Sequence, residues 1–303
     1  MELGGRSEAP WPCQAEQTRT ILYFGLFGCR HVYDGDVLYS LSLSFSLRVL
    51  SWTDATFSGS ALCPTCDLGR FDLPGLRMLG LGLRVLNLHG NEFIGKLDGS
   101  LLLSGNSSLE FVDLGMNSLS LQLNLFCKFK NLINLDLSNS DLSLTDGVNC
   151  SFSWPKLSSL ALSSCNISEF PGFLRSQHTL EALDLSNNRI QGKVPSGLKD
   201  VGKNSLPLLN ISHNNLTGGL ELFSWKNLLY IDLRCNSLQG FLPSPPPNTG
   251  MFLASNNKFH GEISSSFCNL KMLGILDLSY NRLSGKMLIL SFDDDNANFL
   301  IVV

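Results

Sequence analysis

The stretch LEALDLSNNRIQGKVP, Leu180–Pro195, decides the fold. Leucines stand at its first, fourth and sixth places, with an asparagine at the ninth (Asn188) and a glycine at the thirteenth (Gly192). The leucines bracket a short strand whose period of two turns the fourth and sixth side chains to one face and the fifth to the other. So short a strand cannot bury its apolar face alone; it needs a neighbour of the same kind. The chain supplies them: the pattern begins at Leu83, Leu109, Leu132, Leu157, Leu180, Leu206, Leu228, Thr249 and Leu273, in steps of 26, 23, 25, 23, 26, 22, 21 and 24 residues. A weaker copy fits LRVLSWTDATFSGSA, Leu47–Ala61. At 303 residues the chain is long for one compact core but ordinary for a repeat array.

Each place has a mechanical reason. Position 9 is Asn91, Asn117, Asn188, Asn214, Asn236, Asn257 and Asn281, with Ser140 and Cys165 in two other repeats. There a side-chain amide can bridge the backbones of adjacent turns, each such bond contributing about 1 kcal/mol. Position 13 is glycine in Gly95, Gly192, Gly218, Gly240, Gly261 and Gly285, which suits a turn that needs a residue without a Cβ. The expected fold is an α/β-type solenoid, a right-handed horseshoe with a parallel β-sheet on its concave face and loops and short 3-10 turns on its convex face. Residues 83–287 form the repeats and 47–82 degenerate leading repeats. Residues 1–46 are a poorly defined segment that reads as a degenerate leader or cap, and 288–303 a non-repeat tail.

The pattern LxxLxLxxNxLxGxIP, carried most fully by Phe223–Lys286 and by LSSCNISEFPGFLR (Leu162–Arg175), resembles the plant-type leucine-rich repeat of disease-resistance receptor-like proteins. The resemblance implies an extracellular or plasma-membrane-facing horseshoe that recognises a peptide or protein ligand and signals, in defence or development, through receptor-kinase co-receptors. Members of that family normally add a cysteine-paired cap, further repeats, an island, a membrane helix and a short tail, none of which is clear here. Nothing physical stops the solenoid at Met287: LILSFDDDNANFLIVV (Leu288–Val303) ends apolar, the reverse of a polar cap, so the array reads as cut from a longer parent. Two alternatives stay open, a secreted leucine-rich-repeat inhibitor of a foreign enzyme and a truncated product with no role of its own.

Composition narrows the classes further. Hydrophobic residues are 44% and charged residues 16% of the chain, which argues against disorder. A net charge of −4, from 22 basic and 26 acidic residues, gives no footprint for nucleic acid. No apolar run reaches the roughly 18–20 residues of a membrane helix. ILYFGLFGC (Ile21–Cys29) has the length of a signal-peptide core but begins about twenty residues in and lacks a clear cleavage site, so it reads rather as a buried strand or a mis-annotated leader.

Nine cysteines leave one over. Cys127 and Cys150 both occupy position 19 of successive repeats. Stacked turns bring such positions within disulfide reach, so a Cys127–Cys150 staple is expected, with two separate buried thiols as the alternative. The lone CPTC (Cys63–Cys66) is weak evidence for a redox or zinc site. The resemblance implies a partner for Cys268 beyond the next repeat. Five N-x-S/T sequons, at Asn106, Asn149, Asn166, Asn210 and Asn215, suit a glycosylated surface. Asn106 and Asn149 lie in connecting segments that favour modification, whereas a glycan on Asn210, at position 5, would cover part of the concave wall.

No catalytic motif appears, the five histidines show no metal-ligand spacing, and neither a cofactor nor a metal is expected. The chain is therefore expected not to be an enzyme. Position 5 is often aspartate (Asp113, Asp136, Asp184, Asp232, Asp277), which is explained by the repeat itself rather than by paired catalytic carboxylates. Binding would use the variable concave places. Those that break the Ser/Asn monotony are His89, Met116, Glu181, His213, Tyr230, Arg234 and Tyr280. Tyr230, Arg234 and Tyr280, in the last three repeats, are the expected centre of a ligand patch, with His213 and Glu181 beside them, since aromatic and arginine side chains dominate interface hot spots. The proline run LPSPPPNTG (Leu242–Gly250) reads as a stiffened convex loop rather than a docking motif.

Overall fold

A three-residue strand has too few backbone groups to be stable unless another strand lies on each side, and the chain meets that need by stacking. A computed structural model of the chain describes residues 49–51, 84–91, 93–97, 108–144, 154–222, 225–285 and 300–302, the first and last of these by their backbone. All belong to the unit Leu47–Val303; the unit Met1–Ser46 lies outside the described residues. Eleven strands, from Val49–Ser51 to Leu300–Val302, pair in chain order and all in parallel. Register is kept repeat by repeat: Leu86 faces Val112, Val112 faces Leu135 and Leu209 faces Ile231. Val49–Ser51, in the weak leading repeat, pairs directly with Val85–Asn87. Leu300–Val302, in the segment expected outside the repeats, pairs with Ile275–Asp277 and extends the sheet by one strand.

Leucines at positions 1, 4 and 6 fill the space behind this sheet. In the repeat from Leu180 all three, Leu180, Leu183 and Leu185, are fully buried. Behind them the chain returns through short 3-10 turns, Leu123–Lys128, Gly172–Ser176, Ser196–Asp200 and Ser265–Asn269. Trp225 closes one turn by donating its indole N–H to the Val201 carbonyl at 2.7 Å, and Phe252 meets Phe267 edge-on. In the proline loop Pro243, Pro245 and Pro246 are buried, so this run is a structural loop. Cys127, buried at the end of the first 3-10 turn, is disulfide-bonded; Cys150, its expected partner, lies outside the described residues.

Beyond the concave strand each chain turn must bend sharply, and position 8 does it. Gly90, Met116, Asn139, Ser164, Asn187, His213, Cys235, Asn256 and Tyr280 all lie in the left-handed region, with φ from 52° to 72°. For the eight that are not glycine this costs about 1–2 kcal/mol each, a strain that persists only where surrounding bonds fix it. The position-9 asparagine provides them. Asn188 donates to the Leu162 carbonyl of the preceding turn at 2.7 Å and to Leu185 and Ser186 of its own at 3.0 Å. Its Oδ1 accepts from Cys165 and Ile167 N–H, at 3.0 and 3.1 Å. Asn117, Asn214, Asn236, Asn257 and Asn281 repeat this bridge to the turn before them.

The two exceptions behave differently. The Cys165 thiol takes the donor role, reaching the Leu137 carbonyl at 3.1 Å, and burial pushes it up to about 12. Ser140 is too short; its buried hydroxyl has no partner among the described residues. The second, lateral sheets reflect the same local chemistry. Three strands (Ile94–Lys96, Ser118–Gln122, Asp141–Ser143) and five more (Gln191–Lys193 to Arg282–Ser284) are separated by the repeat from Leu157, where no lateral strand forms. There Asn166 is itself left-handed, at φ 60°, which takes the backbone out of the extended region.

Asn188→Ala leaves two buried N–H groups without an acceptor and should cost about 3 kcal/mol. Ser140→Asn should add about 1 kcal/mol by restoring the bridge towards Leu114. Urea denaturation midpoints of both variants measure the two effects.

Candidate functional site

The concave wall is built from positions 3, 5, 7 and 8, and its polar side chains serve the backbone first. Position-5 carboxylates and amides accept from the N–H two residues on: Asp136 from Ser138 at 2.8 Å, Asp184 from Ser186 at 2.8 Å, Asn210 from Ser212 at 3.2 Å and Asp277 from Ser279 at 3.1 Å. Such turns satisfy the strand's last donor just before the left-handed residue. The aspartate ladder is therefore structural. Packing like charges in parallel has an electrostatic consequence. Burial, then the neighbouring Asp113 carboxylate, raises Asp136 to about 6, against opposing hydrogen bonds from Ser138. Burial likewise raises Asp184.

The expected ligand patch divides. Tyr230 and Asp232 stand on one face of the strand Tyr230–Asp232, and Arg234 follows two residues beyond its end. Arg234 folds back on Asp232, with Nε 3.0 Å from Oδ1 and Nη2 2.7 Å from Oδ2, and the Tyr230 hydroxyl reaches Oδ2 at 3.3 Å. Asp232 is only 1% exposed, while the Arg234 side chain keeps 37% of its surface. The hydrogen bond to Asp232 raises Arg234, and burial with the Asp232 charge pushes the Tyr230 hydroxyl up. His213, in the preceding turn, feels both charges, and its burial lowers its affinity for a proton. Tyr280 stands two repeats further on and is 78% exposed; Glu181 is exposed two repeats before, at position 2. The structure thus joins Tyr230, Arg234 and His213 around Asp232 and leaves Tyr280 and Glu181 apart. Sequence reasoning passed over Asp232 because it looks like every other position-5 aspartate; its signal was the arginine two residues on.

Of the sequons, Asn166 and Asn215 are exposed. Asn210 is engaged: its amide donates to Asp184 at 3.2 Å and its carbonyl accepts from Ser212. Asn106 and Asn149 lie outside the described residues, as does the Cys63–Cys66 pair. Met116, on the wall near the first repeats, is 51% exposed. Among the described residues no helix is long and apolar enough to cross a membrane.

A carboxyl group that holds its proton more tightly when folded stabilises the fold below its unfolded value, here 3.8, and loses that contribution as pH rises through about 6. Asp136→Asn keeps the acceptor for Ser138 without the charge. It should be more stable than the parent at pH 7, on the order of 1–2 kcal/mol, with the gap closing below pH 4; thermal melts across that range measure it.

Comparisons with known proteins agree with this architecture. The family described as Leucine Rich Repeat matches residues 179–201. Receptor-like protein 7 of Arabidopsis thaliana is 39% identical over 171 residues, which is 55% of this chain and 17% of that protein. The ectodomain of the Arabidopsis receptor kinase HAESA, solved with an extended IDA peptide hormone, superposes with a TM-score of 0.57 at 30% identity, covering 66% of this chain and 34% of that one. A HAESA complex with IDA and the co-receptor SERK1 gives a TM-score of 0.53 at 29% identity, covering 68% of this chain and 35% of that one. The chain therefore spans under a fifth of the length of that curated relative and about a third of these solved ectodomains. The described repeats have the leucine-rich-repeat solenoid fold, and in sequence they are similar to repeats of plant receptor-like proteins.

Proposed function

We propose that this chain is the extracellular ligand-recognition part of a plant receptor-like protein, binding a peptide along its concave wall and working in defence or developmental signalling with receptor-kinase co-receptors. The observation that carries this reading is the Tyr230–Asp232–Arg234 cluster. Its aromatic ring and guanidinium are fixed on the wall before any ligand arrives, so little side-chain entropy is lost on binding. Tyr280, open to solvent on the same wall, adds a second aromatic anchor. Support also comes from solved ectodomains of the same architecture that hold peptide hormones, one of them with a co-receptor. Glycans on Asn166 and Asn215 leave the wall beside Asp184 clear, since Asn210 is held in the hydrogen-bond ladder. A Cys127–Cys150 disulfide fastens two successive turns.

Arg234→Ala alone is a poor test, because it strands the buried Asp232 carboxylate and so acts on folding. Asp232→Asn with Arg234→Gln removes both charges together. A displayed peptide library selected on the purified chain should yield binders; that double variant and, separately, Tyr280→Ala should each weaken the best peptide at least tenfold by calorimetry. No binder above background, or unchanged affinity in both, overturns the reading. Site mapping of the secreted chain should find glycans at Asn166 and Asn215 and none at Asn210, and peptide mapping without reduction should recover Cys127 joined to Cys150.

A further inference from the structure

Stacking brings together one group of side chains that no spacing in the sequence announces. His89 at position 7, and Asp113 and Asp136 at position 5 of the next two repeats, each place one donor atom within 4.8 Å of the others. His89 Nδ1 lies 3.0 Å from Asp113 Oδ1. Between them is Gly115, at the place where Ser138, Ser163, Ser186, Ser212, Ser255 and Ser279 stand in later repeats. A Cβ at residue 115 would lie 3.0 Å from His89 Nδ1, 3.1 Å from Asp136 Oδ1 and 3.2 Å from Asp113 Oδ1. The φ of Gly115 is outside the left-handed region, so its backbone does not call for glycine. What the glycine provides is room at a point nearly equidistant from one imidazole nitrogen and two carboxylate oxygens.

We propose that His89, Asp113 and Asp136 form a site for a divalent transition-metal ion of the zinc type, centred over Gly115 on the concave wall. One imidazole and two carboxylates suit zinc and its first-row neighbours, and three protein ligands are too few for calcium, which takes six to eight oxygens. Zinc donors stand at about 2.0–2.2 Å, so each side chain closes on the focus by about 1 Å. The ring binds through Nδ1 with its proton on Nε2, and Asp113, which otherwise faces that nitrogen, turns its oxygen to the ion. Three protein ligands leave a further coordination position for water or for a ligand on the wall. This inference does not rest on the peptide-recognition reading and fails or stands separately from it.

The test is calorimetric titration of the full, chelator-stripped chain with zinc chloride, repeated with cobalt(II) and read by absorption. One equivalent of zinc should bind with a dissociation constant at or below the micromolar range. Cobalt should give d–d bands without a thiolate charge-transfer band, which separates this site from the cysteines. His89→Ala should weaken zinc at least tenfold. Gly115→Ala, which keeps all three donors and tolerates the backbone, should do the same by filling the focus, and it keeps the test decisive if the histidine variant folds poorly. Binding of parental strength in Gly115→Ala or in folded His89→Ala, a thiolate band with cobalt, or no zinc binding by the parent would each overturn the proposal.

Discussion

Each turn of this chain has to end a three-residue strand, bend through a left-handed residue and leave no backbone group unpaired, and the position-9 asparagine makes that possible. Its NH2 donates both to the preceding turn and to its own, and its carbonyl accepts from a buried N–H of the preceding turn. No other uncharged side chain of that length offers two donors and an acceptor at one end. The strain at position 8 is tolerable because these bonds, together with the leucines behind the sheet, over-determine the local path. Where the amide is absent, the cost is visible: Cys165 supplies only the donor half, and the Ser140 hydroxyl finds no partner among the described residues.

The same economy shapes the wall. Position-5 aspartates are there to accept from a backbone N–H, yet stacking lines their carboxylates up at strand spacing, where burial and mutual repulsion raise the proton affinity of Asp136. Local variation turns this shared feature into something particular. An arginine two residues beyond Asp232 neutralises it and fixes a tyrosine beside it. A histidine one repeat before Asp113, with a glycine in the usual serine place, opens a small polar focus instead. The scaffold's repeated part and its individual part are thus adjacent atoms on the same strands.

How much of this was legible in the sequence differs from place to place. The strands, their burial and the bridging amides could be read from Leu180, Leu183, Leu185 and Asn188, because each acts through its own period in the repeat. The left-handed bend at position 8 could not. Met116, Ser164, His213, Cys235 and Tyr280 share no preference for that conformation, which is imposed by the bonds at position 9 and not by the residue that adopts it. The strand at Leu300–Val302 was hidden for the converse reason: an apolar run outside the repeat pattern does not declare which edge it will join.

By itself the sequence determined the architecture, since an apolar frame repeated nine times, with asparagine at position 9 in seven repeats and glycine at position 13 in six, leaves one way to bury its apolar face: stacking in register. Only the tertiary structure decided which side chains act together. Arg234 is tied to Asp232 within one repeat, while His89, Asp113 and Asp136 meet across three turns although 24 and 23 residues separate successive members. Contact across turns depends on the stacking distance and on what fills the intervening place, here Gly115, and neither is written in the residues that make the contact.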